Sequence, residues 1–283
     1  MQVRTARWTP SPDFRYLGIM AVFADRNDSS HLKGRLSKVI VPALLSNDLN
    51  QLSRRLGDRA TFDDPQFGRA TGGTALSETI SRVSSWLAEH SGAFEATSSL
   101  AGPEHDVTDG VVSLQYGERT VSLPIAVMVE KGREREIEIR LYYSLKAIRA
   151  EGPPRAAPLP LQDEALSLPP PLSAYLEAVS RGDLEQIAAS FESGATLSAG
   201  DGTVYSQKAD GPSMKEYFSR LVSSEGGTTM SKRARVDDGR ACAVEYVTTR
   251  LRGRDVVSIA GLAVYERGDS GLLRAVRSYD DVG

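Results

Sequence analysis

The chain has one cysteine, three histidines and no excess of either charge, and each shortage removes a class of protein. Cys242 alone can neither close an intrachain disulfide nor supply a cysteine-based zinc site. Lys+Arg 34 against Asp+Glu 37 leaves a net charge of −3 with no basic block, which argues against a nucleic-acid partner. The longest apolar runs, Leu17–Ala24 and Val39–Leu45, fall short of the ~18–20 residues that span a bilayer. Met1–Pro10 carries two arginines without an apolar stretch after them, so no signal peptide and a cytoplasmic location are expected. His105, in Pro103-Glu104-His105-Asp106, belongs to an incomplete ligand set among turn residues, so no metal is expected. Gly72-Gly73 and Gly226-Gly227 lack a phosphate-loop pattern, and no cofactor is expected either.

What is present is apolar mass for two cores. The 283 residues are 40% hydrophobic and 25% charged, the composition of a globular protein long enough for two domains. Glu151–Pro171 holds seven of the fourteen prolines and reads as an extended linker, since proline fixes φ and lacks a backbone donor. This divides the chain into an N-terminal extension (1–34), a first domain (35–150), a linker (151–171) and a second domain (172–283).

The two domains read as copies of one unit. Asp48-Leu49 lies 135 residues before Asp183-Leu184, and the same offset pairs Leu52 with Ile187, Leu56 with Phe191, and Ala60-Thr61 with Ala195-Thr196. Downstream, Gly73 pairs with Gly211, and Arg140 and Tyr142 pair with Arg277 and Tyr279, after slips of two or three residues of the kind that loops tolerate. In the second copy, Leu172–Arg181 has helical spacing and stops at Gly182, and Asp183 caps a second helix carrying Leu184, Ile187 and Phe191. Short strands at Ala195–Ser198 and Thr203–Ser206, a helix around Ser213–Ser223 and four strands between Arg233 and Asp280 follow. Helices first and a long antiparallel sheet afterwards predict an α+β fold, with each sheet curved around its helices into a cone.

At these residues the chain resembles the nuclear transport factor 2-like (NTF2-like) superfamily, which includes ketosteroid isomerase, scytalone dehydratase, limonene epoxide hydrolase and SnoaL-type polyketide cyclases. Tyr175–Ile187 with Phe191 and Ala195-Thr196 resembles the opening of such domains, and Ala60–Pro65 resembles the first strand of ketosteroid isomerase. Arg119–Ala126 and Ile139–Tyr143 resemble that enzyme's last two strands. The paired arrangement, with Ala241–Tyr246 and Ser278–Val282, resembles tandem SnoaL-like proteins of actinobacteria.

The resemblance implies a pocket inside each cone and places residues in it. The isomerase's catalytic base corresponds to Asp64, but its oxyanion-hole tyrosine and aspartate correspond to Ile40 and Ala126. In the second copy Tyr175 matches the tyrosine, while Ala199 and Leu262 stand at the base and acid positions. Without those donors a developing enolate loses its main stabilisation, so ketosteroid isomerisation by the family's mechanism is not expected. The epoxide hydrolase's aspartate corresponds to Ser278, and neither His31, His90 nor His105 falls on an inward strand as scytalone dehydration requires.

Asp64 and Tyr143 are therefore the candidate catalytic pair, with Ile40, Ala126, Ile139, Leu141, Tyr175, Tyr217 and Ser278 as candidate ligand contacts. Buried in an apolar cup, Asp64 would have a raised pKa and act as a base, whereas Asp63 would point to solvent. Alternatively Asp63-Asp64-Pro65 ends a strand with turn chemistry, and Tyr143 and Tyr175 fill the core. Arg140 with Tyr142, Arg277 with Tyr279, and Glu136 and Glu138 beside Arg140 are expected where the two domains meet, making a monomer that is an intrachain pseudo-dimer. The implied activity is a cofactor-independent isomerase, cyclase or hydratase acting by proton transfer on a hydrophobic polyketide- or terpenoid-like molecule. A non-catalytic binding protein for an apolar ligand is the alternative, and on either view the second copy can be a structural partner of the first. Cys242 is expected to be a buried, inert thiol.

Overall fold

The computed structural model describes residues 35–48, 52, 55–132, 136–148, 166–207, 212–225, 229–252 and 255–280. The expected N-terminal extension with His31, Leu49, residues 151–165 of the expected linker, Gly211, Gly226-Gly227 and Val282 lie outside the described residues.

The first sheet is built by β1 (Thr61–Asp64), β2 (Gly68–Thr71), β3 (Ala93–Ala101), β4 (His105–Tyr116), β5 (Arg119–Lys131) and β6 (Ile137–Tyr142). Its order is β2-β1-β6-β5-β4-β3, antiparallel except where β1 runs parallel to β6. Two helices close it, α1 (Leu36–Leu45) and α2 (Gly73–Glu89). Leu76, Ile80, Val83 and Leu87 recur at helical spacing on α2, so one stripe of that helix is buried.

The second sheet repeats this arrangement. α3 (Pro170–Arg181), α4 (Leu184–Ala189), β7 (Phe191–Ser198), β8 (Val204–Ser206) and α5 (Met214–Glu225) precede β9 (Thr229–Asp237), β10 (Ala241–Arg252), β11 (Asp255–Arg267) and β12 (Leu273–Asp280). The order is β8-β7-β12-β11-β10-β9, with β7 parallel to β12. Strand register fixes the equivalences: Asp63 pairs with Arg140 and Ser198 with Arg277, so Asp64 and Ala199 occupy matching places, as do Tyr143 and Asp280.

Local chemistry explains the ends of these elements. Gly182, at φ 67°, closes α3 in the left-handed conformation, and the Asp183 carboxylate accepts the Gln186 amide at 3.1 Å to cap α4. The expected linker reaches two residues too far, because Pro170 and Pro171 form the first turn of α3, where a missing N–H leaves no bond unmade. Phe191 opens β7 rather than closing the preceding helix.

Each cone has its own apolar core, and a third cluster lies between the sheets, where Val107, Met128 and Tyr142 meet Ala243, Leu262 and Tyr279. Two matching polar clamps cross this contact. Arg140 grips Glu245 in bidentate fashion (Nε–Oε1 2.5 Å, Nη2–Oε2 3.0 Å) and the Tyr142 hydroxyl donates to the same carboxylate at 2.5 Å. Reciprocally, the Arg277 Nε and Tyr279 hydroxyl each donate to Asp109 Oδ2 at 2.6 Å. Asp109 pairs across its sheet with Ala126 and Glu245 with Leu262, so the two carboxylates are equivalent and the contact is two-fold in pattern. The expected placement of these Arg–Tyr pairs holds. Glu138 joins Arg140 at 3.1 Å, while Glu136 is exposed.

Candidate functional site

The first cone brings Asp64 and Tyr143 together beside a small void. The Tyr143 hydroxyl donates to Asp64 Oδ1 and Oδ2 at 2.9 and 3.0 Å, and the amides of Gln66 and Phe67 donate to Oδ1 at 2.8 Å each. Those two amide bonds are the chemistry of an aspartate closing its own turn. The adjoining void, lined by Leu44, Val83, Val112, Leu123, Ile125 and Leu141, measures about 20 Å³, space for about one water. Ile40 and Ile139 are packed into the same core.

Two placements expected from the sequence are corrected here. Asp63 does not face solvent: it is 2% exposed, because its face of β1 is covered by Arg69, which approaches it to 3.6 Å, and by its cross-strand partner Arg140. Ala126 does not line the cone. It lies in the cluster between the domains, and its neighbour Ile125 points inward, since a one-residue shift along a strand exchanges faces.

Among the described residues, the larger space is in the second cone. A cavity of about 420 Å³ opens at its mouth, within the size range of small-molecule sites, and a narrow chamber of about 60 Å³ lies inside. Tyr217, Leu221, Ser278 and Asp280 line both, so the two spaces share a wall. Tyr175, Tyr246, Thr248 and Tyr265 line the chamber, while Tyr205, Asp201, Arg220 and Lys146 stand around the mouth. Lys146 belongs to the first domain, three residues beyond Tyr143, so both domains contribute to this opening.

Side-chain volume explains why one cone is filled and the other open. Strand register places Ser278 where the first cone has Leu141, Gly261 where it has Ile125, Leu197 where it has Phe62 and Thr248 where it has Val112. Across the sheet Tyr246 faces Gly261, whereas Gly110 faces Ile125, so the glycine changes strands between the copies. A Cβ at Gly261 would lie 2.3 Å from Asp280 Oδ1 and 2.7 Å from the Tyr246 ring. A Cβ at Gly200 would lie 2.9 Å from the Asp280 carbonyl oxygen. Two glycines thus make the space that Asp280 occupies.

Asp280 and Tyr246 are pocket residues that sequence reasoning missed. The carboxylate sits at the boundary of mouth and chamber, is 9% exposed, and accepts a hydrogen bond from the Tyr246 hydroxyl. Burial, reinforced by the Asp280 charge, raises the Tyr246 phenol well above its ordinary value, and burial does the same for Tyr175 and Tyr265. All three remain neutral donors at physiological pH. The available signal was strand alternation, because Val276, Ser278 and Asp280 share a face and Ser278 was already placed in the pocket. Tyr175, Tyr217 and Ser278 do line this space, with the carboxylate two residues beyond the expected one.

Among the described residues no cluster of His, Cys, Asp and Glu could hold a metal ion, and no helix is long and apolar enough to cross a membrane. No family model matches the sequence, and no curated protein does. Solved structures do. The epoxide hydrolase/cyclase-like enzyme SalBIII, of pyran ring formation in the polyether salinomycin, is 22% identical over 40% of this chain and 88% of its own, with a TM-score of 0.35. An LEH-like epoxide hydrolase from M. tuberculosis is 19% identical over 40% of this chain and 80% of its own, at 0.33. A SnoaL-like polyketide cyclase fold from Shewanella denitrificans OS-217 is 12% identical over 39% and 88%, at 0.34. In fold, the chain is a tandem pair of α+β cones whose two six-stranded sheets share one strand order.

Proposed function

We propose that the second cone turns over a hydrophobic small molecule by proton transfer, with Asp280 as the base and the first cone as its structural partner. The observation that carries this reading is a buried carboxylate held by a tyrosine hydroxyl at the wall shared by mouth and chamber. Asp280 takes a proton from a ligand C–H or O–H, or from an attacking water, and returns it to the product. Isomerisation, ring closure and hydration balance in this way without an oxidant or reductant. Ser278, Thr248 and Tyr217 are placed to orient polar atoms of the ligand. Arg220 and Lys146 suit its polar end at the mouth. The substrate class is a polyketide- or terpenoid-like intermediate.

The test offers the protein a panel of apolar epoxides, hydroxy-epoxides and unsaturated ketones, with products followed by mass spectrometry. Asp280→Asn should lower turnover by about 10²–10⁴-fold, the range for loss of a general base, and Asp64→Asn should leave it within a few-fold. Unchanged turnover in Asp280→Asn, or its loss only in Asp64→Asn, overturns the assignment. Saturable binding of panel members without turnover by any form favours the second reading, a binding protein whose neutral phenols serve as donors to a bound ligand.

A further inference from the structure

Tyr246 and Asp280 face the cavity, and the residue before each faces the first domain. Glu245, next to Tyr246, is the carboxylate held by Arg140 and Tyr142, and Tyr279, next to Asp280, donates to Asp109. The ladder between β9 and β10 is irregular at that point, with the extra residue on β9. Ala234 pairs with Glu245 but Lys232 pairs with Tyr246, so Arg233 is an extra residue and the ladder bulges. Arg233 is tied into the same cluster, its Nε 3.3 Å from Glu245 Oε2 and its Nη2 3.2 Å from Glu130 Oε2. A bulge disrupts the ladder locally and increases its twist, and the residue facing this bulge from β10 is Tyr246. The first sheet has the matching bulge, between Ala96 and Ser98, but Gly110 stands at the phenol's place. The clamp is common to both domains, while the group it aims exists in one.

We propose that the first domain positions the second domain's acid–base pair, with Arg140 acting through Glu245 and the bulge to set the Tyr246 hydroxyl on Asp280. Arg140 is a positioning residue, buried and in bidentate contact, and a guanidinium fork fixes the direction of a carboxylate as a lysine cannot. A displacement of about 1 Å at a reacting group is enough to cost about 10²-fold in rate. The inference rests on the second-cone reading of the site for its functional meaning, but not for its test.

The test uses the full chain with 3-fluorotyrosine at position 246, read by fluorine NMR. Asp280→Asn should move the Tyr246 resonance, because it removes the charge that the phenol meets. In Arg140→Met and in Glu245→Gln that Asp280-dependent shift should fall by at least half, and Arg140→Lys should restore it only in part. Where Arg140→Met does not fold, Glu245→Gln decides, since it keeps the volume and an acceptor for Tyr142. An Asp280-dependent shift of equal size in all backgrounds overturns the proposal. Turnover plays no part in this readout, so failure of the proposed reaction and failure of the clamp are separate results.

Discussion

Replacing Gly261 with alanine probes the exchange of volume that opens the second cone. The added carbon would stand 2.3 Å from Asp280 Oδ1 and 2.7 Å from Cε2 and Cζ of Tyr246, all inside ordinary contact distance. The carboxylate and the ring must separate or the strands must shift, and overpacking of this kind costs about 1–3 kcal/mol. With a urea m-value of about 2 kcal/mol/M, the midpoint should fall by about 0.5–1.5 M, read by circular dichroism. Tyr246→Ala should itself cost about 3–5 kcal/mol, yet it removes the ring that the new methyl strikes. Gly261→Ala should therefore be milder in the Tyr246→Ala background, by about 1 kcal/mol or more of coupling energy. The first cone already holds the compensated arrangement, Ile125 opposite Gly110. Equal cost of Gly261→Ala in both backgrounds would refute the argument that these two positions share one volume.

Two further outcomes follow from groups outside the site. Burial would raise the Glu130 and Glu266 carboxyls, but Arg140 with Arg233 at the first and Arg277 at the second outweigh it and hold both below their ordinary range. A depressed folded-state pKa adds stability that is present above the unfolded value, about 4.3, and disappears as pH falls through the folded one. The urea midpoint should thus decline on acidification below about pH 4.5, less steeply in Glu130→Gln, and a slope unchanged by that substitution counts against these ion pairs as its source. Cys242 is 1% exposed and burial pushes its thiol up to about 12, so a disulfide reagent at pH 8 should leave the folded protein unlabelled and modify one thiol in urea. Rapid labelling of the folded chain would show that β10 opens there.

The repeat was legible because its markers lie where the backbone demands them. Gly182 needs its left-handed turn, and the Arg–Tyr pairs sit on the same face of β6 and β12, so matching offsets carried over into matching registers. Asp64 over Ala199 was legible for the same reason. The site was not, because it depends on pairings between strands distant in sequence. Asp280 becomes a pocket residue only when Gly261 and Gly200 leave space around it, and no local pattern in β11 or β7 announces that space. Ala126 was misplaced by one residue, an error that moves a side chain through the whole thickness of the sheet. Asp64 holds the place that the resemblance gives a base, and the bulk of Leu141 and Ile125 leaves only a small void beside it.

The reciprocal clamps have a consequence for how such a chain can change. Each domain carries an Arg–Tyr pair and the carboxylate that receives one, so the contact has the self-complementary form of an assembly of identical subunits. Two identical subunits must accept every substitution twice, once in each half. A serine for a leucine, or a glycine for an isoleucine, would then hollow both cores at once, and a protein only a few kcal/mol from unfolding tolerates that poorly. Joining the halves in one chain removes the constraint. One cone stays solid with Leu141 and Ile125, while Ser278 and Gly261 open the other, and the loss of packing is borne on one side only.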